Sequence, residues 1–114
     1  MEGCIFCKIV KKEIKSEIVY EDENFVVFKD INPQAPVHLL VVPKLHIESI
    51  SSLEIENKEN IKDALFIIKK VAQEIGITKD GYRVVINTGK NAGQEINHLH
   101  FHVLAGRKFE WPPG

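Results

Sequence analysis

The chain has 114 residues and a formal net charge of −1, with 44% hydrophobic and 27% charged residues. Those values fit one compact soluble domain spanning residues 1–114 with a single main core. Without a basic excess there is no field to draw in a polyanion, so a nucleic-acid partner is not expected. No apolar run approaches the ~20 residues that cross a bilayer, so no membrane partner is expected either. Met1-Glu2-Gly3-Cys4 lacks a basic stretch followed by an apolar one, which argues against a secretory leader. The two cysteines, Cys4 and Cys7, are too few for a disulfide scaffold and suit a reducing compartment, with the cytoplasm as default.

A short first helix is expected around Cys7 to Lys11. Ile18-Val19-Tyr20 and Phe25-Val26-Val27-Phe28 flank the polar cluster Glu21-Asp22-Glu23-Asn24 and read as a β-hairpin. Two prolines make Asp30 to Pro36 a loop, and the β-branched and leucine-rich run Val37 to Val42 reads as a central strand ending at Pro43. The clearest helix runs from about Lys58 to Glu74. Ile61, Ala64, Leu65, Ile68, Val71, Ala72 and Ile75 define its apolar face, and Gly76 is placed to end it. Gly81 to Asn87 reads as a strand, Thr88 to Gly93 as a glycine-containing loop, and Leu99 to Leu104 as the last strand. The expected fold is α+β: an antiparallel sheet of about five strands, one long helix on one face and a short N-terminal helix.

Three of the five histidines fall in His98-Leu99-His100-Phe101-His102. Side chains alternate along a strand, so the three imidazoles share a face while Leu99, Phe101 and Val103 enter the core. At a rise of ~3.3 Å per residue, neighbouring histidines sit ~6.6 Å apart, enough to line a groove for a substituted phosphate. Imidazole is the side chain most readily tuned for nucleophilic and proton-transfer work near neutral pH. A metal-binding face is the competing reading.

Gly89-Lys90-Asn91-Ala92-Gly93-Gln94-Glu95 leads into the histidines, and its glycines would let backbone amides approach an anion. Cys4-x-x-Cys7 has three readings: half of a tetrahedral zinc site, a redox pair, or two idle thiols. The redox reading lacks the strand that normally precedes such a pair. For zinc, the two further ligands would be His46 and His98.

The pattern His98-Leu99-His100-Phe101-His102-Val103-Leu104 resembles that of the histidine triad (HIT) family, in its nucleotide-binding branch. Further segments extend the resemblance: Ile5-Phe6-Cys7-Lys8-Ile9, Asp30 to Pro36, Pro43-Lys44-Leu45-His46, Gly93-Gln94, Gly106-Arg107 and Trp111-Pro112-Pro113-Gly114. The resemblance implies that His100 attacks the α-phosphorus of a nucleotide, that water then releases the nucleoside monophosphate, and that His102 contacts the phosphate. His38 would support the triad from its neighbouring strand, although a plain buried histidine fits it as well. Asp30 would hold the ribose hydroxyls, and Phe6, Ile9, Phe28 and Ile31 would sandwich the base. Asn87, Gly93 and the side chain of Gln94 would serve the phosphate. Glu95 departs from the serine often found in relatives and is expected to turn outward, because a carboxylate repels a phosphate. The zinc set Cys4, Cys7, His46 and His98 occurs in a subset of the family that includes its uridylyltransferase relatives.

The implied activity is a purine nucleoside phosphoramidase or related nucleotidyl hydrolase, working as a homodimer on an AMP derivative, with structural zinc as the one expected cofactor. Dinucleoside polyphosphate hydrolysis and a regulatory nucleotide-binding module with little turnover are the alternatives. A uridylyl transferase fits less well, since those relatives carry proline between the first two triad histidines.

Overall fold

The computed structural model describes residues 3–114; Met1 and Glu2, read above for a leader, lie outside the described residues. A short helix, α1 (Ile5–Val10), opens the chain, followed by strands β1 (Ile18–Glu21), β2 (Phe25–Lys29) and β3 (Val37–Pro43). Helices α2 (Lys58–Ile61) and α3 (Ala64–Ile75) precede β4 (Tyr82–Val85) and β5 (Phe101–Ala105). The five strands form one sheet in the order β1-β2-β3-β5-β4, and every neighbouring pair is antiparallel. The α+β fold expected from the sequence is the one observed.

Alternation of side chains gives this sheet two different faces. Phe25, Val27, Leu39, Val41, Phe101, Val103 and Ala105 bury one face against Ala64, Ile67, Ile68, Val71 and Ala72 of α3. Val26, Phe28, Leu40 and Val42 bury the other against Phe6 and Ile9 of α1. In β3 and β5 the register pairs Leu40 with His102 and His38 with Leu104. His38 and His102 are therefore diagonal neighbours on the α1 face, within reach of each other.

The hairpin turn is fixed by Asp22, whose Oδ1 accepts from the backbone amides of Asn24 and Phe25 at 2.8 Å each. Gly76 ends α3 in the left-handed region at φ 80°, with Ile77 N–H returning to Ala72 O at 3.0 Å. The loop before β3 is held against the end of β5 at Gly106. A Cβ there would lie 2.7 Å from Cβ of Pro36, and its φ is 95°. Arg107 adds a bond from its guanidinium to Gln34 O at 3.2 Å.

Two expectations are corrected. The long helix is interrupted at Lys62 and Asp63, where Asp63 flattens to φ −90° and ψ 2°. Aspartate competes poorly in a helix interior because its short carboxylate bonds the local backbone. The core face also shifts: Ile67 belongs to it, while Leu65 is 68% exposed. At about 100° per residue, Leu65 lies a quarter-turn from the centre of the Ala64–Ile67–Ile68–Val71–Ala72 stripe. Ile75 lies on the stripe but in the last turn, where it is partly exposed.

Candidate functional site

The strand β5 begins only at Phe101, so His98 lies in a bend and Leu99 and His100 in irregular chain just ahead of it. Leu99 is tied down through its amide, which donates to Ile47 O at 2.7 Å. His98 and His100 are buried, and Phe6 of α1 meets both rings edge-on, at 5.9 and 5.1 Å between centroids. His100 and His102 are 4.9 Å apart, and His38 and His102 are 5.2 Å apart.

Backbone partners fix which ring nitrogens carry protons, because a carbonyl only accepts and an amide N–H only donates. His100 Nδ1 lies 2.7 Å from His98 O, so the proton of neutral His100 is on Nδ1 and Nε2 keeps its lone pair. The amide of Gln34 donates to His38 Nδ1 at 3.0 Å, which places the His38 proton on Nε2. That proton points at His102 Nδ1, 2.9 Å away. Neutral His102 then carries its own proton on Nε2. The result is one imidazole with a free lone pair beside another with a free N–H.

Burial keeps His38 and His102 neutral. His102 is pulled down to about 4 by desolvation, reinforced by repulsion from His100 and His38. Desolvation also lowers His38, against the opposing pull of Asp30. The 3.4 Å approach of Asp30 Oδ2 to His38 Nε2 is therefore a polar contact and not an ion pair. Asp30 Oδ1 accepts from the Asn32 amide at 2.9 Å.

Between these histidines and α1 lies a cavity of about 510 Å³, a size suited to a small organic ligand. Phe6, Ile9, Phe28 and Leu40 make one wall apolar, while Asp30, Asn87, His100 and His102 supply polar groups. Ile31 reaches the cavity only from its rim, at 92% exposure. Gly93 and Glu95 bound the far end, and Glu95 is exposed.

The glycine loop differs from its expected use. Gln94 does not line this cavity: its Nε2 donates to Glu48 O at 2.7 Å and Ile96 O at 3.1 Å, and its Oε1 accepts from Gly89 N–H at 2.9 Å. The Gln94 side chain thus braces the loop from within. The amides of Gly93 and Gln94 also close the loop on itself, donating to Lys90 O and Gly89 O. Among the described residues, no partner engages the Glu95 amide, the one backbone donor of the three left for an anion.

A second cluster sits behind His98. Ligand atoms of Cys4, Cys7, His46 and His98 all lie within 4.8 Å of one another. His98 Nε2 donates to Pro43 O at 2.7 Å, so its Nδ1 lone pair faces Cys4 Sγ at 3.3 Å and His46 Nδ1 at 3.2 Å. His46 Nδ1 is 3.2 Å from Cys7 Sγ. Two thiols and two imidazoles converging through single donor atoms match the closed tetrahedral chemistry of zinc. Without a metal, burial lowers His98 to about 4 and raises the Cys7 thiol, as expected for donors turned away from water. Asp30, His38 and His102 also bring ligand atoms within 4.8 Å, but both His38 nitrogens already serve the Gln34 amide and His102.

The HIT domain matches residues 11–109, including the whole triad. The chain belongs to the HIT family. An uncharacterized HIT-like protein of Synechococcus elongatus is 46% identical over 113 residues, covering 99% of this chain and 98% of its own. A 14 kDa zinc-binding protein of Zea mays is 47% identical, over 96% of this chain and 87% of its own. Among solved structures, a HIT family hydrolase from Legionella pneumophila superposes with a TM-score of 0.94 at 46% identity, covering 98% of this chain and all of that one. The HIT protein described here therefore has a hydrolase-like fold, and its cysteine–histidine cluster is compatible with zinc. None of its described helices is long and apolar enough to cross a membrane.

The neutral form of His102 and His38 makes stability pH-dependent in a definite direction. The unfolded chain, with ordinary histidines near 6.5, binds more protons than the folded one between about 6.5 and about 4. Stability should fall as pH is lowered through that window, read as a lower urea midpoint at pH 5 than at pH 7.5. His102→Gln should shrink this difference; an unchanged difference would refute the assignment to His102.

Proposed function

We propose that this HIT protein is a nucleotidyl hydrolase of the nucleotide-binding, phosphoramidase-like branch, with His100 as nucleophile. The observation that carries the reading is the complementary pair of nitrogens on one cavity wall: a lone pair at His100 Nε2 and a proton at His102 Nε2. A phosphorus ester or amide needs both, one to attack phosphorus and one to hold a phosphoryl oxygen.

In this scheme the base of an AMP derivative occupies the slot of Phe6, Ile9 and Phe28, with Ile31 at its lip. Asp30 retains acceptor capacity for the ribose hydroxyls. His100 Nε2 forms a bond to the α-phosphorus as the phosphorus–nitrogen bond of the substrate breaks. The leaving nitrogen takes a proton from solvent and departs as a neutral amine, and a nucleotidyl-histidine remains. Water then displaces His100, giving up a proton to solvent, and frees the monophosphate. The proton on His100 Nδ1 stays with the His98 carbonyl throughout, which stabilises the positive charge that develops on the attacked ring. His38 acts one step back: it accepts from Gln34 and donates to His102, so that His102 donates to phosphate. Asn87 and the Glu95 amide are the remaining donors for the phosphoryl group, and Gly93 shapes the loop that presents them.

His100→Ala should lower turnover of an adenosine phosphoramidate by at least about a thousandfold, as expected when a covalent nucleophile is removed. Circular dichroism should be unchanged. Near-normal turnover in that variant would sink the assignment, whereas AMP binding by the native protein without turnover would favour the regulatory-module alternative.

Zinc is the metal that the four donors fit, and bound there it would hold α1 against the triad segment, remote from the reacting phosphorus. Protein purified without added metal should carry one zinc per chain by elemental analysis, and Cys4→Ala should lose it. Substoichiometric metal that Cys4→Ala leaves unaltered argues against the site.

A homodimer is also supported by the surface. The sheet ends at β4, an edge strand on which Val84 is exposed, with exposed Ile86 just beyond it, and Phe66 of α3 is 72% exposed. Open edges and exposed aromatics are normally covered. Sedimentation at micromolar concentration should give the dimer mass, and Phe66→Glu should shift the protein toward the monomer. A monomer in the native protein refutes this arrangement.

A further inference from the structure

Helix α1 faces two sites at once. Cys4 and Cys7 belong to the metal cluster; Phe6 and Ile9, three residues apart on one stripe, wall the nucleotide cavity. Six residues are far too few for a helix to hold itself together, so α1 is ordered by what it contacts. One of those contacts is shared by everything. Phe6 meets the ring of His98, a candidate metal ligand, the ring of His100, the candidate nucleophile, and Phe28 of the base slot at 5.5 Å. The backbone repeats this link, because the carbonyl that orients His100 belongs to His98.

We infer that metal binding at Cys4, Cys7, His46 and His98 and nucleotide binding in the cavity strengthen each other, with α1 as the shared element and Phe6 as the coupling contact. The inference rests on the nucleotide and zinc readings proposed above. Its physical basis is ordering. Whichever ligand binds first fixes α1 and the Phe6 ring against β2 and the triad segment. The second then meets a site already in place and loses less conformational freedom. Coupling of this kind is reciprocal: the factor by which zinc tightens nucleotide binding equals the factor by which nucleotide tightens zinc binding. Phe6 is in this respect a positioning residue, acting through His98 and His100.

The test uses full-length protein, zinc and AMP. Zinc affinity is measured by equilibrium competition with a chromophoric chelator, with and without saturating AMP. AMP affinity is measured by calorimetry on zinc-loaded and chelator-stripped protein. AMP should raise zinc affinity by roughly tenfold, and zinc should raise AMP affinity by the same factor. Phe6→Leu should keep one zinc per chain while reducing the coupling to less than about twofold. If the stripped protein unfolds, the chelator competition on loaded protein still reads the coupling from one side. Zinc affinity unmoved by saturating AMP overturns the inference, and full coupling in Phe6→Leu overturns the role of Phe6. The premises fail visibly and separately. Absence of stoichiometric zinc removes the metal site, and absence of AMP binding by loaded protein removes the nucleotide site; either outcome removes the coupling with it.

Discussion

His98 is fully buried, and its two ring nitrogens and its backbone carbonyl are turned to different parts of the molecule. Nε2 donates to the carbonyl of Pro43, where β3 ends. Nδ1 faces the thiols of α1 and the ring of His46, and the backbone carbonyl accepts from His100. A buried imidazole without partners would cost several kcal/mol or be driven out to solvent. With its ring nitrogens and carbonyl directed, it holds the end of β3, the N-terminal helix and the candidate nucleophile in one arrangement. The positions of Phe6 and Ile9 depend on that, and so does the shape of the cavity.

Protonation in the candidate site follows from position more than from residue type. His38, His100 and His102 line the cavity with chemically identical rings, and His98 lies behind them. Backbone groups distinguish them: the carbonyl of His98 acts on His100, the amide of Gln34 on His38, which in turn sets His102, and the carbonyl of Pro43 on His98. Each chooses one tautomer, and desolvation keeps His38, His98 and His102 neutral so that the choice persists. The loop at Gly89 to Glu95 shows the converse. There the glutamine side chain and the amides of Gly89, Gly93 and Gln94 are used to hold the turn. Rigidity of the loop and availability of its donors compete for the same groups.

Much of this was legible in the amino-acid sequence, for reasons that are local. Continuous apolar runs at Val26 to Phe28 and Leu39 to Val42 marked strands without assigning faces, because both faces are buried, whereas the alternation from His98 to Val103 did assign them. The same alternation put His100 and His102 together. The helix was readable at its end, where Gly76 supplies the left-handed cap, and over most of its apolar face, but not at the edge of that face. Leu65 and Ile67 are equally apolar, and only the packing of α3 on the sheet separates the buried one from the exposed one. The break at Asp63 lay within a pattern that still fitted a continuous helix.

The histidine row shows the division most clearly. By itself the sequence determined that three imidazoles, a Cys-x-x-Cys pair and a glycine-containing loop lie on a scaffold of alternating strands, and the resemblance it carries assigned their family. It could not divide the row. Tertiary structure turned His98 toward Cys4, Cys7 and His46, left His100 with a lone pair and His102 with a proton, and withdrew Gln94 from the cavity. The physical reason is that these outcomes are decided by backbone carbonyls and amides, those of Pro43, Gln34 and Glu48 from distant segments and that of His98 from two residues away. Every residue carries such groups, so no pattern of side chains announces which of them will arrive.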